Sequence, residues 1–301
     1  MDDVEVRELR YFIAVAEELN FTRAAARLGM AQPPLSTAIG KLERKLGVTL
    51  LERTSRHVHL TSAGQELLEQ GRIAVEAVGA ALERTRRTGT QADRLTVAIK
   101  AGAGTELLSK ITRRCADDPF MPQVHVQFVH DGGPAAALRA GTADVALLHT
   151  PFDDRGLDTE LLFVEPRVAV LPAGHRLARR RSLRRADLAG EPMPRWAKQT
   201  DTATAAYWAN GPGETPDGPE ISDMNQLLDV VALGQAVAYI PLSIARQHGR
   251  AELVFVPVAD LSPSKVVAAW PDSTRSRTVA SFVHTAVEVA ADHPRQAAAL
   301  A

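Results

Sequence analysis

The spacing of apolar residues changes character twice along the chain. Up to about Gly64 they recur at helical intervals in short segments, with one brief β-like stretch; from Gln65 to about Gly89 they run through a single proline-free helical segment. Beyond "RTGTQADR" short apolar runs alternate with helical candidates: "RLTVAIK", "QVHVQFVH", "ADVALLH", "RVAVLP", "AVAYIP", "ELVFVP" and "KVVAAW". Runs of that length, rich in β-branched residues, predict an α/β domain with largely buried strands. No internal repeat of fixed period is present. The boundaries predict a multidomain α+β chain divided at 1–64, 65–90 and 91–301.

"NFTRAAARLGMAQPPLSTAIGKLE" predicts helix, tight turn, helix. Thr22 is the expected N-cap of the first helix, Ala24, Ala25 and Leu28 its inner face, and Gly29 the permissive turn. The second helix starts at Pro33 and Pro34, because proline is tolerated in a first turn, where its missing N–H has no helical partner. Leu35, Ile39, Leu42 and Leu46 then face the core. Ser36, Thr37, Gly40, Lys41 and Arg44 lie opposite, with Gln32 at the tip. Small polar and cationic groups at a helix N-terminus suit phosphate and the DNA major groove. In "VTLLERTSRHVHLTSAG", Leu51 to Thr54 and His57 to Leu60 can pair as a hairpin carrying Arg53 and Arg56; a merely solvated hairpin is the alternative.

In the middle segment Leu68, Gly71, Val75, Val78, Leu82 and Thr85 step by 3, 4, 3, 4, 3, the spacing of a paired helix, against the alternative of a long surface helix. Ser62 with Gln65 makes a capping-box start for it. Leu68, Val75, Val78 and Leu82 are the candidate dimerisation residues.

Charge sharpens the first region only. The net charge of the 301 residues is -1, yet Phe21 to Gln65 holds seven Lys/Arg against Glu43 and Glu52, a local excess of five. Hydrophobic content of 45% and charged content of 24% are those of a globular chain. No run of 18 apolar residues occurs, and "MDDVEVRELR" lacks the plan of a signal peptide, so a cytoplasmic protein without membrane partners is expected. The single Cys115 in "ITRRCADD" is expected on the core side, with no metal-ligand spacing around it. The nine histidines are scattered, and His57 and His59 have no further ligands nearby, so no metal site and no cofactor are expected.

The stretch from Leu9 to Gly64 resembles the LysR-type transcriptional regulators, through its first helix, Gln-Pro-Pro-Leu-Ser, Leu-Glu and Leu-Leu-Glu-Arg. The resemblance implies a winged helix-turn-helix, a long dimerising linker helix, and a C-terminal effector domain similar to periplasmic binding proteins. That domain would have two α/β lobes around a ligand cleft, with lobe I at about 91–165 and 266–301 and lobe II at about 166–265. By the resemblance, Thr22, Gln32, Pro33, Ser36, Thr37 and Lys41 approach DNA, with Arg53 and Arg56 on the wing. The family commonly carries Arg-Gln after the recognition-helix serine and a basic residue beyond, where this chain has Thr37, Ala38 and Gly40. Long bidentate donors are missing there, so operator choice leans on Gln32, on thymine methyls near Thr37 and on DNA shape.

In the third region "LTVAIKAGAGTELLSK" invites a dinucleotide reading, which fails because the third glycine of the fingerprint falls at Leu107. What remains is a helix N-terminus at Gly104 and Thr105 able to hold an anion, a turn that in the resembling family commonly helps hold the effector. His149, Thr150, Thr200 and Thr202 are further effector-site candidates at predicted strand ends, with structural hydrogen bonding, turn and cap duties as alternatives. "HRLARRRSLRRADL" is expected to be a solvated helix or loop. The chain contains no Gly-x-Ser-x-Gly, His-Glu-x-x-His or Gly-Lys-Ser/Thr motif. The expectation is a regulator and not an enzyme: a homodimer or homotetramer that binds a double-stranded DNA operator under control of a small-molecule effector, a carboxylate being the natural class. The alternatives are an enzyme with accessory N-terminal helices and a ligand-free architectural protein.

Overall fold

The computed structural model describes residues 4–53, 58–90, 94–100, 104–129, 133–197, 207 and 217–291. The chain divides into two compact units, Met1–Arg87 and Thr88–Ala301.

The first unit packs three helices, α1 (Val6–Glu18), α2 (Phe21–Arg27) and α3 (Gln32–Leu46), against a hairpin of β1 (Leu51–Arg53) and β2 (Val58–Leu60) and the start of α4 (Ser62–Thr90). Phe12, Leu35, Ile39 and Leu42 are fully buried at its centre, with Ala24 and Ala25 where α2 crosses its neighbours. Four expectations are corrected here. Asn20, not Thr22, caps α2, because its carboxamide oxygen accepts the Arg23 N–H at 3.0 Å. Thr61, not Ser62, caps α4, its hydroxyl accepting the Gly64 N–H at 3.0 Å. Leu46 is exposed, because α3 outruns the core beyond Leu42. Leu68 is buried inside this unit with Phe12 and Val15, and a Cβ at Gly71 would touch Ile13 and Leu9 at 3.8 Å. The first turns of α4 therefore complete the core of their own unit, whereas Val75 and Val78 are half-buried and Leu82 is exposed.

In the second unit, β3 (Arg94–Lys100) lies parallel between β4 (Gln123–Val129) and β5 (Val145–His149). Antiparallel β12 (Ser264–Pro271) and β6 (Leu157–Glu165) extend that sheet to the order β4-β3-β5-β12-β6. Helices α5 (Thr105–Ala116) and α9 (Arg277–Ala291) bury one face and α6 (Gly133–Arg139) the other. A second lobe is built on β7 (Arg167–Pro172), flanked by antiparallel β10 (Ala238–Pro241) and β11 (Leu253–Pro257). It also holds the parallel pair β8 (Met193–Trp196) and β9 (Asp217–Ile221), with α7 (Met224–Ala232) and α8 (Leu242–Gln247). The chain crosses between lobes at Pro166 and again between Pro257 and Ser264.

All seven predicted strands form. Among the described residues three more, β6, β8 and β9, carry no such signal. The edge strand β6, "LDTELLFVE", pairs only with β12 and leaves most of its residues exposed, so its acidic residues interrupt the apolar pattern. The six arginines from Arg176 to Arg185 are exposed on a segment ending in a short 3-10 turn, Arg185–Leu188. Cys115 is in the core, where burial pushes its thiol up to about 11.

Candidate nucleic-acid interface and effector cleft

The outer face of α3 follows from its register. With Leu35, Ile39 and Leu42 buried, Gln32, Pro33, Thr37 and Lys41 are exposed and Ser36 half-exposed, all on the first three turns of one helix. Pro33 and Pro34 stand in the first turn, ahead of the N–H groups the helix needs. Thr22 is exposed on the first turn of α2. The Thr37 hydroxyl donates to the Pro33 carbonyl at 3.0 Å, which leaves its methyl and the acceptor lone pairs of its oxygen to offer a base. The Arg44 guanidinium folds back one turn, its Nε donating to the Gly40 carbonyl at 3.1 Å. A Cβ at Gly40 would meet nothing within 4 Å.

The hairpin pairs Leu51 with Leu60, Glu52 with His59 and Arg53 with Val58. Arg53 thus ends β1, and Arg56 lies outside the described residues. Glu43 joins the helix to this hairpin: its Oε1 accepts the N–H groups of Leu50 at 2.9 Å and Leu51 at 3.1 Å. That is the physical use of the Leu-Glu pair, and it was not legible from spacing because the acceptor is aimed at a segment outside the helix.

In the second unit, the parallel strands β3 and β5 are neighbours in register, Ile99 opposite Leu147. Lys100 and His149 therefore close the C-terminal edge of one sheet, followed by Thr150. Ligands of open α/β sheets bind along such an edge. Gly104, with φ of 71°, is the N-cap of α5 and Thr105 its exposed first residue. A left-handed backbone there favours glycine. Thr200 and Thr202 lie outside the described residues.

His149 has a structural partner: its Nε2 is 3.2 Å from Oε1 of the buried Glu165. Glu165 also accepts the Ser243 N–H at 2.6 Å and the Ser243 hydroxyl at 2.8 Å, so its carboxylate ties β5 of one lobe to α8 of the other. One residue past the crossover, buried Arg167 donates to the carbonyls of Ser262 at 2.9 Å and Tyr207 at 2.6 Å and stacks 3.8 Å over the Tyr207 ring. Burial pulls its guanidinium below the usual arginine range. A second contact between lobes joins Lys100 to Trp196 on β8, the ammonium 4.0 Å from the ring centroid. Sequence reasoning missed Glu165, Arg167, Lys100 and Trp196. The available signal was a charge abutting an apolar strand, at the end of β3 for Lys100 and at the start of β7 for Arg167; Glu165 and Trp196, on strands without that apolar pattern, carried none. Among the described residues no group of three or more His, Cys, Asp or Glu is placed to hold a metal ion, and no helix is long and apolar enough to cross a membrane.

Comparison with known proteins agrees with this architecture. Residues 6–65 match the family described as "Bacterial regulatory helix-turn-helix protein, lysR family", and residues 88–291 match "LysR substrate binding domain". The HTH-type transcriptional regulator AlsR of Bacillus subtilis (strain 168) is 34% identical over 245 residues, 80% of this chain and 81% of that one. The uncharacterized HTH-type transcriptional regulator YnfL of Escherichia coli (strain K12) is 32% identical over 285 residues, 89% of this chain and 93% of that one. The full-length CbnR chain solved in complex with its target DNA superposes with a TM-score of 0.52 over 95% of this chain and 100% of that one, at 24% identity, a likeness that carries the fold. With both the helix-turn-helix unit and the two-lobed α/β unit matched, the chain belongs to the LysR family of transcriptional regulators.

Proposed function

We propose that this regulator binds an operator in double-stranded DNA through the outer face of α3 and the hairpin, and that a small carboxylate in the C-terminal α/β unit controls it. Gln32, Pro33, Ser36, Thr37 and Lys41 face the major groove, Thr22 approaches from α2, and Arg53 and Arg56 meet phosphates on the wing. The observation that carries this reading is the exposed polar face of α3 beginning in its first turn, where the free N–H groups and helix dipole favour phosphate. Val75, Val78 and Leu82 on α4 are the residues through which two chains pair, as a dimer or as half of a tetramer. The division at 1–64, 65–90 and 91–301, with lobes at about 91–165 plus 266–301 and 166–265, assigns these duties along the chain.

The effector reading rests on Gly104 and Thr105 at the start of α5, together with His149 and Thr150 at the same sheet edge; Thr200 and Thr202 belong to the proposal as well. For the effector to act, it must bind one arrangement of the chain more tightly than another. The role is regulatory and not enzymatic. A gel-shift titration on the DNA upstream of the protein's own coding region tests the first half: specific retardation with a steep salt dependence is expected. Binding that ignores sequence at every salt concentration would overturn it.

A further inference from the structure

A groove of about 610 Å³ runs along the first lobe of the second unit, between the edge strand β6 and helix α9. Strand register puts it at the far end of the sheet from Lys100 and His149. Strand β12 is antiparallel to β5, with Val266 opposite His149 and Ala269 opposite Ala146, so Trp270, which lines the groove, stands where β5 begins. Glu160 of β6 is opposite Ala268, and opposed residues share a face. Ala268 belongs to the core that α9 covers, so Glu160 is on the α9 side of the sheet. On the helix, Arg277, Ala280 and His284 are exposed at spacings of three and four and form one wall, while half-buried Val283 and Val287 continue the apolar surface of Trp270. The volume is in the range of small-molecule sites.

The charges around the groove are unequally engaged. The Arg275 Nη1 donates to the carbonyls of Asp272 at 3.0 Å and Thr274 at 2.9 Å, and the His284 Nε2 is 3.2 Å from Glu288 Oε1. Glu160 and Arg277 line the same groove, yet among the described residues neither side chain has an ion pair or hydrogen bond, with the other or with any neighbour. Ala280 has nothing beyond its Cβ to fill the wall between Arg277 and His284.

We propose that this groove is a second ligand site, fitted to an α-amino acid with a large apolar side chain: the ammonium meets Glu160, the carboxylate meets Arg277, and the side chain lies along Trp270, Val283 and Val287. A zwitterion satisfies both unpartnered charges, whereas a simple anion or cation would be repelled by one of them. Exposed ion pairs contribute little by themselves. Most of the affinity therefore comes from the apolar surface that the side chain removes from water, and glycine, with the same two charges, is excluded. The site shares no residue with the sheet edge assigned above to the carboxylate, and it stands or falls separately from that reading.

The test uses the full chain with L-leucine and L-phenylalanine as probes, and glycine and phenylalaninamide as controls. Thermal melts should rise with at least one of the two probes and stay unchanged with glycine. Phenylalaninamide keeps the ammonium and lacks the carboxylate, so it should need about a 10-fold higher concentration for the same shift, from loss of a charged hydrogen bond. Glu160→Gln and Arg277→Gln should each weaken the response to phenylalanine about 10-fold, and in Arg277→Gln the advantage of phenylalanine over its amide should disappear. Ala280→Trp fills the groove and should abolish the response. Phenylalanine should also change the intrinsic tryptophan emission of the wild type, and Trp270→Phe should remove that change. If neither amino acid shifts the wild-type melt, the proposal is overturned. A shift that Glu160→Gln, Arg277→Gln and Ala280→Trp all leave intact puts the ligand elsewhere and also overturns it. Should any of these variants not fold, the emission decides, and a change that survives in Trp270→Phe rejects the proposal.

Discussion

Arg72 on α4 grips Glu17 on α1, its Nη2 at 2.6 Å and its Nε at 3.1 Å from one carboxylate oxygen, while Arg27 of α2 holds the other oxygen at 2.6 Å. A single carboxylate thus joins three helices within the first unit. Burial alone would raise the Glu17 pKa, but the hydrogen bonds from Arg72 and Arg27 outweigh it and hold the carboxyl below the usual range.

The sign of the resulting pH dependence is set by that direction. A depressed carboxyl contributes stability that is present above its ordinary value of 4.5 and is lost as pH falls through the folded value. Urea melts of wild type should therefore lose stability below about pH 4.5 more steeply than those of Glu17→Gln, which is expected to be the less stable protein at pH 7. Parallel acid limbs for the two proteins would refute this.

Gly40 lies within α3 with open space where a Cβ would be built. Gly40→Ala should stabilise the N-terminal unit by up to about 1 kcal/mol, since glycine costs about that much in a helix interior. Gly40→Arg should tighten DNA binding across all sequences and steepen the slope of log affinity on log salt by about one, the effect of one added phosphate contact. Gel shifts at four salt concentrations check this. Abolished binding would show instead that DNA needs the space.

Leu68 and Leu82 share the same helical spacing and should behave differently. Leu68 is 7% exposed in the core of its own unit, whereas Leu82 is 52% exposed. Leu68→Ala should cost about 2–5 kcal/mol of stability in the N-terminal unit, as core truncations do. Leu82→Ala should leave that stability within about 0.5 kcal/mol and weaken self-association. Thermal melts and light scattering across a dilution series separate the two effects.

Burial, with Asp118 adding to it, pushes the Cys115 thiol from its ordinary 9.0 up to about 11. The folded chain should react slowly with iodoacetamide at pH 8 and quickly once unfolded in urea. A raised pKa contributes stability that is present below pH 9 and is lost as pH rises through about 11. Cys115→Ala should flatten that alkaline loss, measured as urea midpoints between pH 8 and 11.

Local rules determined a great deal about this protein. The prolines of the first turn, the buried stripe of Leu35, Ile39 and Leu42, the pairing of the hairpin and the seven apolar strands are properties of neighbouring residues, and periodicity or backbone preference exposes them directly. The competition between near-equivalent caps was already beyond that reach: Asn20 displaced Thr22, and Thr61 displaced Ser62, by where each side chain ended relative to free N–H groups. Tertiary structure alone decided the contacts between distant segments. Glu43 reaches the hairpin, Glu165 joins His149 to Ser243, Arg167 stacks on Tyr207, and Lys100 meets Trp196 across a gap of nearly a hundred residues in the chain. A charged residue in an apolar strand states only that it needs a partner. Which partner it finds depends on how sheets and helices pack, and that information is spread over the whole chain and not over the window around the residue.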